Sequence, residues 1–388
     1  MKELIRYKEQ YKTELLENII PFWERYSRDD IYGGYYTCLD RQGKVFDTDK
    51  FIWLQGRQLW FFSMIYNQIE KRQTWMGMAE LGAEFLEKYG MDANGNWYFS
   101  LTREGEPLVQ PYNIFSDCFA CMGFAELYKA TGNARYREIA LQTFRNIQAR
   151  SENPKGTYNK LYPATRPMKS FSLPMILCNL SLILEEVIGS GEVDKAVKPI
   201  ISEVMDVFYQ KESGLILEHV APDGSFVDCF EGRTVNPGHT NEAMWFMMDV
   251  AERYNDHELI KKATDILLRS IEYGWDEQYG GIFYFRDIEG YPPQQLEWDQ
   301  KLWWVHIETL IALVKGYRLT GDVRCKDWFL KIHDYTWSLF RDSEYPEWYG
   351  YLNRQGKPLL MLKGGKWKGC FHVPRGLFQI WKTLEKIS

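Results

Sequence analysis

A short glycine-rich, aromatic segment recurs along this 388-residue chain, and its spacing limits the fold more than any other feature. Gly33-Gly34-Tyr35-Tyr36-Thr37-Cys38-Leu39-Asp40-Arg41-Gln42-Gly43 returns as Gly95-Asn96-Trp97-Tyr98-Phe99-Ser100-Leu101-Thr102-Arg103-Glu104-Gly105. Looser copies stand at 156–162, 214–224, 280–290 and 349–356. Alternating residues closed by an Arg-x-Gly or Asp-x-Gly turn predict a short strand or hairpin each time. A period of roughly 60–70 residues predicts one supersecondary unit repeated along the chain, not a mosaic of domains.

Two kinds of helical pattern separate the hairpins. One is apolar nearly all round, at 51–66, 113–128, 171–188, 239–250, 302–317 and 371–381. A helix with no polar face is buried on every side. The other kind is amphipathic, as in 134–150, where Tyr136, Ile139, Ala140, Phe144 and Ile147 form a single stripe. Segments 4–23, 258–273 and 323–340 behave alike. Six buried and six half-buried helices in alternation predict an inner and an outer ring. That is an all-α (α/α)6 toroid of about twelve helices, one domain over residues 1–388, with hairpins at one end. Each inner helix follows a hairpin, so the inner N-termini open together, where free N–H groups and positive dipole ends suit a polar ligand.

Charge and composition narrow the ligand. A net charge of −6 with no long basic run argues against nucleic acid and acidic membrane surfaces. No apolar run reaches membrane-spanning length, and the charged N-terminal segment is not a signal peptide. Seven cysteines, several in helical patterns, predict buried reduced thiols in a cytoplasmic protein, with Cys118-x-x-Cys121 as core. The 15 Trp, 25 Tyr and 22 Phe add faces on which sugar rings stack, a weak pointer to carbohydrate. No His-Glu-x-x-His, paired Cys-x-x-Cys or EF-hand spacing is present, so no metal is expected. Gly364-Gly365-Lys366-Trp367-Lys368-Gly369 is not a phosphate-binding Walker loop and predicts a tight turn into the last inner helix.

Polar residues at the inner N-termini are the site candidates. Trp53 and Arg57 share one face, Tyr112, Asn113 and Asp117 open the next inner helix, and His239 and Glu242 stand three apart behind Asn236-Pro237-Gly238. Trp304 and Glu308 follow, and His372 and Arg375 are again three apart. His306 points away from Glu308 and reads as structural, while His257 and His333 on outer helices read as exposed or capping. Two histidines, an arginine and two glutamates suit removal of a proton alpha to a carbonyl and its return on the opposite face. Histidine titrates near neutrality and serves as either base or acid. Arg57 would stabilise the enediolate, and Glu242 and Glu308 would fix tautomers. Arg57 fits a buried ion pair equally well.

Five segments carry a family resemblance. They are Phe51-Ile52-Trp53-Leu54-Gln55-x-Arg57, Tyr112-Asn113-Ile114-Phe115-Ser116-Asp117, Asn236-Pro237-Gly238-His239-x-x-Glu242-Ala243-Met244-Trp245, Lys301-Leu302-Trp303-Trp304-Val305-His306-x-Glu308 and 364–375. Together, and over essentially the whole chain, they resemble the N-acylglucosamine 2-epimerase (renin-binding protein) family in its bacterial or cyanobacterial form. The resemblance implies an (α/α)6 barrel, commonly a homodimer, that interconverts N-acetylglucosamine and N-acetylmannosamine, a sialic acid precursor. It implies ATP as an activator that is not consumed, with the 153–160 loop, through Lys155, Gly156 and Lys160, as the nucleotide candidate. It implies His239 and His372 as the acid/base pair, supported by Arg57, Glu242 and Glu308. Trp53, Tyr112, Asn113, Asp117, Trp304 and Arg375 are then the substrate contacts, and Thr240-Asn241 is placed to touch the sugar's substituents. On the same fold, cellobiose 2-epimerase and mannose-type aldose–ketose isomerase are the alternatives, and a renin-binding-type interaction protein is the non-enzymatic one.

Overall fold

The computed structural model describes residues 2–159, 161–162 and 165–387. Among the described residues the chain closes into an (α/α)6 toroid of six inner and six outer helices. The inner set is Ile52–Gln68, Phe115–Thr131, Ser172–Ile183, Pro237–Tyr254, Trp303–Thr320 and His372–Ile387, each buried around most of its girth. The outer set is Gln73–Tyr89, Ala134–Ala149, Ser190–Ser202, His257–Gly274, Val323–Leu339 and an N-terminal rod. That rod joins Lys8–Thr13, a π-helical stretch Glu14–Ile19 and Ile20–Tyr26. Among the described residues no helix is long and apolar enough to cross a membrane.

Inner helices approach closely because glycines face one another across the ring. A Cβ at Gly56 would stand 2.5 Å from the carbonyl carbon of Phe119, and one at Gly123 would stand 2.8 Å from the oxygen of Gly56. Gly376 admits Ile307 in the same way, with a Cβ there falling 2.2 Å from Cγ1.

The hairpins are tied differently from the sequence pattern. Within a hairpin the pairing is mostly an isolated bridge, such as Arg28 with Tyr35 or Trp275 with Ile282. The two-residue ladders mostly run between repeats instead. Lys50–Phe51 pairs with Ser100–Leu101, Lys169–Ser170 with His219–Val220, Thr234–Val235 with Arg286–Asp287, and Lys301–Leu302 with Tyr351–Leu352, all antiparallel. Each of these four ladders joins the lead-in of one inner helix to the next hairpin, so separate short sheets make a crown over the inner N-termini.

Closure brings the N-terminal rod against the last repeat. Tyr11 Oη meets His333 Nδ1 at 2.8 Å, Trp23 Nε1 donates to Glu347 at 2.6 Å, and Trp348 Nε1 donates to Glu14 at 2.9 Å. His333 is therefore buried, not exposed or capping, and burial pulls its pKa down to about 4. The stripe of Val323–Leu339 alone did not show that a second outer element covers it. His306 is buried as expected, with Nδ1 at 2.7 Å from the Leu302 carbonyl and Nε2 accepting from the Ile282 N–H at 3.0 Å.

Gly56→Ala should lower the unfolding free energy by about 3 kcal/mol, because the added methyl meets backbone. Gly132→Ala, at φ +68° with open space around it, should lose only about 1 kcal/mol. Urea denaturation of both variants checks the difference, and equal losses would mean that the inner ring is not packed this closely.

Candidate active site

The sequence starts the His239 helix at one defined place. Asn236 caps it, its side chain accepting the His239 N–H at 3.1 Å, and Pro237 fills the first helical position with φ already suited to a helix. His239 and Glu242 consequently stand on the opening turn. His372 and Arg375 open the last helix, and Trp304 and Glu308 belong to the first turns of Trp303–Thr320.

These turns meet in one cluster of charges. Arg375 Nη2 donates to Glu308 Oε1 at 2.6 Å and to Glu242 Oε1. His372 Nδ1 lies 2.8 Å from the same Glu308 oxygen, and Trp245 Nε1 donates to the other at 3.0 Å. His239 Nδ1 lies 3.0 Å from both oxygens of Glu218. Both imidazoles pack against the indole of Trp304, with centroids 5.3 Å away for His239 and 5.8 Å for His372. Arg57 is held by ring faces in place of carboxylates: its guanidinium carbon stands 4.3, 4.0 and 4.5 Å from Trp53, Phe119 and Phe371. Its buried Nε has no hydrogen-bond partner among the described residues. Glu242, Glu308 and His372 offer ligand atoms within 4.8 Å of one another, spacing that also suits a metal ion. The cation between the two carboxylates here is Arg375, which an ion would have to displace.

Charge placement makes the two histidines unequal. Burial lowers the affinity of His239 for a proton, but the Glu218 carboxylate and more distant Glu242 outweigh it, and the pKa rises above the ordinary value. His372 is held well below that value by burial and by the neighbouring Arg57, with Arg375 adding to the effect against Glu242. Burial draws Arg57 down to about 9, so it stays a cation at neutral pH. The His239 side chain is 26% exposed against 10% for His372, so His239 has the freer access to solvent protons.

The remaining candidates divide. Trp53 stacks near Trp367 at 5.8 Å, and Tyr112 packs on Phe99 at 5.1 Å, which itself lies 6.1 Å from Trp367. These rings form an aromatic wall beside Arg57. Asn113 accepts the Phe115 N–H at 3.0 Å, a helix-start role. Asp117 is fully buried, paired with Arg150 at 2.9 Å, and burial pushes its carboxyl up to about 7; it makes no recorded contact with the histidine cluster. Asn241 does not turn toward the cleft, since its amide donates to Thr309 Oγ1 at 2.8 Å between two inner helices. Lys155 is exposed and Gly156 takes φ +53° in a 3-10 turn, while Lys160 lies outside the described residues.

Glu218 was missed because it comes from a hairpin, where no helical spacing marks it. The available signal was a single acid following the apolar run Leu215-Ile216-Leu217.

Histidine NMR should show His239 titrating above the ordinary histidine value of about 6.5 and His372 titrating well below it. Glu218→Gln should drop the His239 midpoint below the wild-type value, because burial remains and its counter-charge is gone. An unmoved midpoint would refute the pairing.

Comparison with known proteins agrees with this geometry. The N-acylglucosamine 2-epimerase family model matches residues 34–373. The N-acylglucosamine 2-epimerase of Bos taurus is 40% identical over 385 residues, covering 96% of this chain and 90% of that protein. A cellobiose 2-epimerase of Dictyoglomus turgidum is 26% identical over 403 residues, covering 96% and 98%. The solved cellobiose 2-epimerase of Bacillus thermoamylovorans superposes with a TM-score of 0.84 at 20% identity, covering 97% of this chain and 99% of that one, a likeness of fold. The toroid, the two carboxylate-paired histidines and a match over nearly the whole length lead to one assignment: the chain belongs to the N-acylglucosamine 2-epimerase family.

Proposed function

We propose that the protein interconverts N-acetylglucosamine and N-acetylmannosamine by moving a proton at C2 of the ring-opened sugar. The observation that carries this reading is the pair of histidines on one indole, one with its proton affinity raised by Glu218 and one with it lowered by burial and Arg57. In the neutral His372, Nδ1–H donates to Glu308, so Nε2 keeps its lone pair and takes the C2 proton. The electrons of the C–H bond move to the C1 oxygen, where Arg57, a desolvated cation whose Nε–H has no partner among the described residues, stabilises the enolate. His239, charged and bonded to Glu218 through Nδ1, returns a proton from Nε2 to the opposite face of C2. The products are the epimeric sugar, a charged His372 and a neutral His239. The reverse reaction, or loss of the proton from His372 to solvent with uptake of one at His239, restores the starting state.

ATP enters this proposal as an activator only, since proton transfer at C2 leaves no phosphoryl step. Support for the 153–160 loop as its site is the exposed Lys155 and the reach of Arg150, which joins Pro154 O at 3.3 Å to Asp117 at the head of an inner helix. The homodimer and the cytoplasmic setting rest on the family resemblance, with seven free cysteines agreeing with a reducing compartment. A cellobiose 2-epimerase is the second reading, favoured by the Dictyoglomus relative and by the aromatic wall at Trp53 and Trp367.

Proton NMR of N-acetylmannosamine in D2O, with and without ATP, tests the reading: deuterium at C2 should appear as N-acetylglucosamine forms. Turnover of cellobiose alone would move the assignment to the second reading, and sugar binding without turnover would favour an interaction protein. His239→Asn and His372→Asn should each cut kcat by about 10²–10⁴-fold while the fold survives. Normal rates in either variant would reject the acid/base pair.

A further inference from the structure

Three joints of the crown carry the same trio of charged residues. Asp29, Asp276 and Asp342 each stand just past the end of an outer helix, after Tyr26, Gly274 and Leu339. Each carboxylate accepts backbone N–H groups of its own turn: from Ile31 and Tyr32, from Gln278 and Tyr279, and from Glu344. Each then meets a fully buried lysine that precedes the following inner helix, Lys50 at 2.9 Å, Lys301 at 3.1 Å and Lys363 at 2.8 Å. The third member arrives from the next hairpin, with Arg103 Nε at 2.9 Å, Arg354 Nε at 2.9 Å and Arg41 Nε at 2.8 Å.

The three arginines hold equivalent places in the recurring turn, in Thr102-Arg103-Glu104-Gly105, Asn353-Arg354-Gln355-Gly356 and Asp40-Arg41-Gln42-Gly43. The arginine of one repeat thus reaches back to the aspartate of the repeat before it. Arg41 carries the series across the seam between the last repeat and the first. Other joints lack the trio: at Lys169 the partner is Glu203, and Arg233 pairs with Asp287 and Asp228.

The three clamped joints are not scattered with respect to the chemistry. Lys50 and Lys301 lie in the ladders that lead directly into the helices bearing Arg57 and Glu308. Lys363 opens the loop that ends at His372, and its carbonyl accepts from the buried Lys368 at 2.8 Å. The remaining site helix, that of His239, starts from its own Asn236 cap.

We propose that these three Asp–Lys–Arg clamps are positioning devices of the active site, holding the heads of the helices that carry Arg57, Glu308 and His372 in mutual register. A carboxylate and an ammonium buried together accept few alternative geometries, because any separation leaves a desolvated charge. The half-exposed arginine closes each pair from the outside and transfers the constraint to the adjoining repeat. The clamp residues touch neither histidine and act through the helix heads. The proposal rests on the epimerase reading above.

Lys301→Met keeps the aliphatic stem and removes the charge. Steady-state kinetics with N-acetylmannosamine should show kcat lowered by at least about tenfold and KM within about threefold, below the melting temperature of the variant. Lys301→Arg should recover kcat to within about threefold of wild type. If Lys301→Met does not fold, Arg354→Gln removes only the outer member and should lower kcat by about threefold or more at unchanged KM. Amide hydrogen exchange reads the clamp without substrate, and faster exchange confined to 303–308 and the 276–283 turn is expected in either variant. A wild-type kcat in folded Lys301→Met or Arg354→Gln, or unchanged exchange at 303–308 in that variant, overturns the proposal. A wild-type protein that turns over no sugar would instead overturn the epimerase reading, and the exchange measurement would still decide the clamp.

Discussion

Arg375 is the charge on which the interior of this ring depends. Glu242 and Glu308 enter a wall of apolar helices from two different staves, and a carboxylate stripped of water there costs several kcal/mol unless paired. One guanidinium, packed 4.4 Å from the Phe371 ring, serves both. Glu308 then has an oxygen to share with His372, and the difference between the histidines follows from simple placement. His372 sits among cations, Arg57 and Arg375, whereas His239 sits beside an anion, Glu218. Acid and base are assigned by which charges each ring can see.

The fold explains why those charges can be gathered at all. Helices buried on every side present polar groups only where the chain enters them, so the six entrances are the one economical place for chemistry. Gly238 and Gly376 let their helices close on Trp303–Thr320, where a single indole touches two imidazoles. Ladders run from four of the lead-ins to the next hairpin and bring those entrances to one end, and closure by Tyr11, Trp23 and Trp348 joins the first repeat to the last.

Much of this was legible in the sequence, and the exceptions share a cause. All-round apolarity separated inner from outer helices, because burial on every face leaves no polar stripe to misread. Spacing of three placed His239 with Glu242 and His372 with Arg375 on opening turns, because helix geometry alone decides that. Glu218, in a hairpin, had no periodicity to betray its direction. Asp117 and Asn241 look like site residues by position, yet Arg150 and Thr309 turn them into joints between elements. His333 has the pattern of a surface residue until the N-terminal rod covers it. Each of these depends on what arrives from a distant repeat, which local sequence does not record.

The helix bearing His372 and Arg375 closes the ring and balances its interior charge at once. Without it, Glu242 and Glu308 stand in an apolar wall with no guanidinium between them, and the N-terminal rod loses the inner helix on which it packs. Closure of the ring and assembly of the charge cluster therefore depend on the same 16 residues.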